Sequence, residues 1–117
     1  MHTIDRILFR TANGERVVVD PADIYLLEAV DGATHVRGRS ATPMVDVREL
    51  HEVAPLFEPF GFLRVHREFA VNLRRVTLVR PRSSGRDWEL KMEPPGNRIV
   101  PISRDRLDDV WQAFGMD

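Results

Sequence analysis

Guanidinium groups spaced along apolar segments are the chemistry this chain repeats most clearly. The twelve residues Phe62 to Leu73, FLRVHREFAVNL, interleave basic and apolar side chains at a two-residue period. On a strand, Leu63 and Val65 would point to one face and Arg64 and His66 to the other, so that a buried face backs a cationic one. Arg67 extends the cationic side. Such a surface suits a polyanion, since Arg forks match phosphate oxygens and the guanine edge. A second pair, Arg104 and Arg106, falls in the first turn of a C-terminal helix that Ser103 is placed to cap. Unpaired backbone N–H groups and guanidiniums converge there, as a phosphate requires. Taken alone, both arginines read more readily as solvated surface residues.

Other chemistries find less support. His35, His66 and Arg67 could form an acid–base site of nuclease type. No carboxylate cluster for a metal and no serine–histidine arrangement has meaningful spacing, so no enzyme and no cofactor are expected. The chain has no cysteine, which excludes disulfides, thiolate metal sites and a cysteine nucleophile. RNA binding is weakly supported, because the basic segment offers few aromatics for stacking. No apolar run approaches a membrane span and MHTIDRILFRT lacks a secretory apolar region, so a cytoplasmic protein without membrane contact is expected.

Charge is distributed unevenly along the 117 residues. Residues 1–59 hold six arginines against ten acids, residues 60–86 seven arginines against Glu68 alone, and residues 87–117 four basic residues against seven acids. The partial charges of −4, +6 and −3 leave a net charge of −1. Lys91 is the one lysine among seventeen basic residues. That bias fits bidentate recognition, and equally a GC-rich genome.

The elements that must position these groups are many short strands and two helices, within one domain spanning 1–117. Ile4 to Arg10 and Glu15 to Asp20 flank Asn13-Gly14, a hairpin signal. Asp20 to Asp23 reads as a capped turn, Ile24 to Val30 as a core strand, and Asp31-Gly32 as a tight loop into a strand through Val36. Asp46 is placed to cap a first helix with Val47, Leu50, Val53, Ala54 and Phe57 on one face, Pro55 shortening it and Gly61 beyond its end. Strands Val76 to Val79, Trp88 to Met92 and Ile99 to Ile102 form a meander, with turns at Ser83-Ser84-Gly85 and Pro94-Pro95-Gly96-Asn97. Leu107, Val110, Trp111 and Phe114 then make the apolar face of a C-terminal helix closed by Gly115.

Phe62-Leu63-Arg64-Val65-His66-Arg67 through Val71-Asn72, followed about thirty residues later by Val100-Pro101-Ile102-Ser103-Arg104, resembles the LytTR family of bacterial DNA-binding domains. Asp23 to Glu28 looks like the strand before that family's first contact loop, and Arg48-Glu49-Leu50 like the start of its helix. The resemblance covers about residues 15–115. It implies a mostly β, elongated arrangement of small antiparallel sheets with short helices and a C-terminal helix. It also implies a transcriptional regulator that contacts DNA through loops at paired promoter repeats; the modest net charge predicts weak binding as a monomer, so a homodimer on the DNA is expected. The loop after Glu28 would place Thr34 or His35 in one major groove and Arg104 in the next, with Arg67 between them near the backbone.

The chemistry of the side chains agrees with those roles. Arg104 could fork to guanine O6 and N7, whereas Arg64, Arg37 and Arg39 suit phosphate. His66 has equal claims as a structural histidine and as a DNA contact. Asn72 is better suited to fastening a turn backbone, and Arg74 and Arg75 could be solvated. Glu68 departs from the family pattern, as does the lack of a receiver or membrane segment, so a free-standing domain or an isolated piece is expected. The competing expectation is a protein-interaction module of the same fold acting on a partner regulator.

Overall fold

Ile24 to Leu27 are four consecutive buried residues, which a strand with one wet face cannot provide. The computed structural model describes residues 6–40, 42–83, 85–95 and 98–115. In chain order it contains β1 (Ile7–Arg10), β2 (Arg16–Val19), β3 (Ile24–Val30), β4 (Ala33–Gly38), β5 (Met44–Asp46), α1 (Leu50–Phe57), β6 (Phe62–His66), β7 (Phe69–Asn72), β8 (Val76–Pro81), β9 (Trp88–Met92), β10 (Ile99–Ile102) and α2 (Leu107–Ala113). β3 is the middle strand of a five-stranded antiparallel sheet ordered β5-β4-β3-β7-β6. β1 and β2 form a hairpin, and β10-β9-β8 a three-stranded meander.

The central sheet is covered on both sides, which accounts for the unbroken apolar run. On one side Ile24, Leu27, Val36, Phe62 and Ala70 pack with the β1–β2 hairpin and with Leu50, Val53, Ala54 and Phe57 of α1. On the other side Leu26, Val65 and Val71 pack with Leu90, Met92, Val100 and Ile102 of the meander and Val110 of α2. The fold is therefore mostly β with two separate cores and one shared wall. Its extents of 44 × 35 × 26 Å and radius of gyration of 14.3 Å exceed the roughly 13.4 Å of a spherical chain this long.

Local signals explain most elements. Gly14 takes φ 88° in the first hairpin, and the Asp20 carboxylate accepts from Ala22 N in the turn before β3. Pro55 lies inside α1, which is only eight residues long and continues as a 3-10 turn over Glu58–Phe60. Gly61 ends it at φ 90°, in the left-handed region that glycine enters without strain.

Two expected caps are replaced by longer-range contacts. Asp46 does not cap α1: it ends β5, is buried, and takes hydrogen bonds from Arg10 N and from Arg48 N, Nε and Nη2. Glu49 starts α1 instead, its N–H donating to Glu52 Oε2 at 3.1 Å, and Val47 is left exposed. Ser103 stands at the N-cap position of the 3-10 turn that leads into α2, but its hydroxyl donates to Val65 O instead of capping that turn. Residues 4, 5, 84, 96 and 97 of the expected first strand and of two meander turns lie outside the described residues.

Candidate nucleic-acid interface

The expected cationic segment forms β6, a turn at Arg67-Glu68, and β7. Leu63 and Val65 both face the meander core, as the alternation requires. Arg64 and His66 do not share a face. The β6–β7 register slips between them, so that Arg64 pairs with Ala70 of the α1-side core and His66 with Phe69 of the meander side. The slip is a bulge, which turns one side chain to the opposite face.

Arg64 is spent on its own turn. Its Nε donates to His66 O at 3.3 Å and its Nη2 to Arg67 O. Burial, reinforced by the nearby Arg106 charge, holds its guanidinium below the usual arginine range. His66 Nδ1 accepts from Glu68 N at 3.1 Å. This places the ring proton of the neutral form on Nε2. The turn is tied down further by Ala29 N donating to Glu68 O at 2.9 Å. Arg67 stands exposed at the apex and lines, with Arg64, Gly32, Ala33, Glu49 and His51, a depression of about 290 Å³.

The C-terminal arginines are strapped to the same strand. Ser103 N and Oγ both donate to Val65 O, at 2.9 and 3.3 Å, and Arg106 Nη1 donates to Arg64 O at 3.3 Å. Arg104 to Arg106 form a 3-10 turn ahead of α2 rather than the first turn of the helix. Arg104 is 71% exposed and its Nε meets Asp87 Oδ1 at 3.1 Å. An exposed pair of this kind contributes about 0–1 kcal/mol to stability, so it orients Arg104 more than it holds the fold.

The remaining expected residues fall elsewhere. Thr34 is not in a loop: it lies on β4, is fully buried, and donates its hydroxyl to Arg48 O at 2.9 Å, so it has no free edge for a groove. His35 is also on β4, opposite Glu28, with Nδ1 buried and unpartnered. The true tip of this hairpin is Asp31-Gly32, where Asp31 takes φ 49°. Arg37 donates Nε to Glu28 Oε1 at 2.8 Å, and Arg98 Nη2 reaches Glu28 Oε2 at 3.3 Å. Arg39 is exposed beside them. Asn72 fastens backbone, accepting from Arg74 N and donating to Ile24 O.

The basic middle segment is partly neutralised by acids that follow it in sequence. Arg75 pairs with Glu93 at 2.6 Å, and Arg80 and Arg82 with Glu89 at 2.8 and 3.5 Å. Arg75 is not a solvated residue: the hydrogen bond to Glu93 raises its pKa, its Nη2 donates to Ala22 O, and it lies 5.0 Å from the centre of the Tyr25 ring. Asp87 and Arg98 were not apparent as site residues from sequence. Asp87 comes near Arg104 because it directly precedes Trp88, which pairs with Ile102. Among the described residues no group of three or more His, Asp or Glu is placed to hold a metal, and no helix is long and apolar enough to cross a membrane.

The fold has a known counterpart. It is similar to the LytTr DNA-binding domain of a response regulator from Bacillus cereus, with a TM-score of 0.76 at 23% identity, over 97% of this chain and 100% of that one. No curated protein matches the chain significantly. The sequence model of the LytTr DNA-binding domain matches residues 14–115, from the first hairpin turn through the end of the C-terminal helix. The chain belongs to the LytTR family of DNA-binding domains.

Proposed function

We propose that residues 1–117 form a single domain that binds double-stranded DNA sequence-specifically as a regulator of transcription. Loops enter successive major grooves at paired promoter repeats, and two copies assemble on the DNA. The observation that carries this reading is the strapping of the Ser103–Arg106 turn to β6, which presents Arg104 and the apex residue Arg67 from one rigid strand. Both are exposed arginines on backbone held by hydrogen bonds.

Within this reading Arg104 contacts base edges, while Arg67 and Arg106 contact the sugar–phosphate backbone. Arg64 and His66 act by shaping the turn that carries Arg67. On the hairpin beside them, the tip at Asp31-Gly32 takes the groove role that the family resemblance implies for Thr34 or His35. Arg37, joined to Glu28, is a peripheral phosphate contact. With the exposed Arg39 these make four phosphate contacts per domain, and a log–log salt slope of about −3.6.

Selection of bound duplexes from a random pool, followed by salt titration of the recovered sequence, tests the proposal. Two spaced repeats and a slope of this size for each bound domain, about twice it for the pair, are expected. No binding to any duplex at low salt would overturn it and leave a protein-interaction role for the fold.

A further inference from the structure

The Arg104–Asp87 pair joins an exposed arginine of the site to a carboxylate that DNA phosphates would repel. Its geometry gives that carboxylate a use. Asp87 accepts the Nε–H of Arg104 at 3.1 Å, and no other hydrogen bond of this guanidinium involves Nη1 or Nη2 among the described residues. The two terminal nitrogens are therefore free, and they are the pair that can meet guanine O6 and N7 end-on.

Asp87 is itself well anchored. Its carbonyl accepts from Arg82 N at 2.6 Å, closing the β8–β9 hairpin, and it directly precedes Trp88, which pairs with Ile102, the neighbour of Ser103. Ser103 is bonded twice to Val65 of β6. A long side chain 71% exposed would otherwise sample many rotamers and lose that freedom on contact with a base.

We propose that Asp87 is a positioning residue for base recognition: by holding Nε it aims the terminal fork of Arg104 at guanine. It does so at the expense of general affinity for DNA. This rests on the assignment of base reading to Arg104. The carboxylate then has two separable effects. Its charge weakens binding to every duplex, and its acceptor oxygen sharpens the preference for one.

The test compares the intact chain with Asp87→Ala and Asp87→Asn on a site-selected duplex and on a scrambled duplex of the same length and composition. Both substitutions remove the charge, so affinity for the scrambled duplex should rise to a similar degree in both. The preference for the selected duplex should fall about tenfold in Asp87→Ala and be largely kept in Asp87→Asn, whose amide oxygen still accepts Nε–H. In an Arg104→Ala background, Asp87→Ala should leave the residual preference unchanged.

An unchanged preference in Asp87→Ala, or an equal fall in both variants, overturns the proposal. So does a further fall without Arg104. If Arg104→Ala alone keeps full preference, the assignment of base reading has failed and the proposal falls with it. That result is distinct from a silent Asp87 beside a sensitive Arg104.

Discussion

Replacing Asp46 by alanine should cost this domain a large share of its stability. The side chain of Asp46 is fully buried and accepts from Arg10 N at 2.9 Å, Arg48 N at 2.9 Å, Arg48 Nε at 3.0 Å and Arg48 Nη2 at 2.7 Å. It thereby ties β1, β5 and the approach to α1 into one knot, and Thr34 of β4 holds the Arg48 carbonyl from the other side. Alanine would strand two backbone N–H groups and a guanidinium whose side chain is only 20% exposed. One hydrogen bond to a charged group contributes about 1.5–3 kcal/mol, and orphaning one member of a buried pair costs about 3–5 kcal/mol. These losses share one carboxylate and do not add. A loss of about 3–5 kcal/mol is expected, against a total of about 5–15 kcal/mol for a typical domain.

Urea unfolding at pH 7, followed through the fluorescence of Trp88 and Trp111, measures the loss. The midpoint should fall with the slope unchanged. Acid supplies a second arm with Asp46→Asn. Burial pushes the Asp46 carboxyl up, but the hydrogen bonds from Arg48 and Arg10 outweigh it and leave the pKa below the usual value. A depressed folded-state pKa adds stability that is complete above the unfolded value of about 3.9 and is lost as pH falls through the lower folded-state value. The gap between the native protein and Asp46→Asn should therefore stay constant from about pH 5 to 8 and narrow below about pH 4. A loss under about 1 kcal/mol at pH 7, or a gap that does not narrow in acid, would refute the reasoning, since either lies outside the range for an orphaned buried ion.

Three further outcomes follow from the geometry. Arg104→Ala should remove most of the preference between selected and scrambled duplexes, about 1–3 kcal/mol, with an unchanged urea midpoint; equal losses on both duplexes would count against base reading. Arg67→Ala should weaken both duplexes alike at full stability, whereas Arg64→Ala should weaken both while also lowering the urea midpoint, because its guanidinium fastens the turn carbonyls; identical midpoints for the two variants would contradict this division. Gly38→Ala should destabilise by about 1–3 kcal/mol, since an added Cβ would lie 2.8 Å from the Asp23 carbonyl oxygen; thermal unfolding indistinguishable from the native protein would show that the β3–β4 end yields freely.

What was legible in the sequence was mostly local. Asn13-Gly14, the Asp20 turn, the Ile24–Leu27 run and the spacing of the meander strands each carry their own turn or burial signal, and each appears where expected. Misreadings arose where one residue type serves two ends. Asp46 and Ser103 have the chemistry of helix caps, and the fold uses that same hydrogen-bonding capacity across 36 and 38 positions. Strand β5 was missed because three residues, MVD, are too few to show a period.

The site was legible as a set of residues but less so as a surface. A single slip of register separated Arg64 from His66, and nothing in a two-residue alternation announces a bulge. The strong positive charge of residues 60–86 was likewise real in sequence and reduced in space, because Glu89 and Glu93 fold back onto its arginines. The family resemblance sets Thr34 in a loop, whereas β4 begins directly after Gly32 and takes Thr34 into the strand.

The strap between Ser103, Arg106 and β6 has a mechanical consequence. In the proposed mode, the distance between the contacts made by Arg67 and by Arg104 is a length measured along the peptide units of one strand, closed by three hydrogen bonds. One base pair inserted between those contacts would move one of them by about 3.4 Å and rotate it by about a tenth of a turn around the duplex. Hydrogen bonds of 2.9–3.3 Å cannot stretch that far without breaking. The domain behaves as a ruler of fixed length within a half-site, so spacing variants between two half-sites should be tolerated far better than variants inside either one.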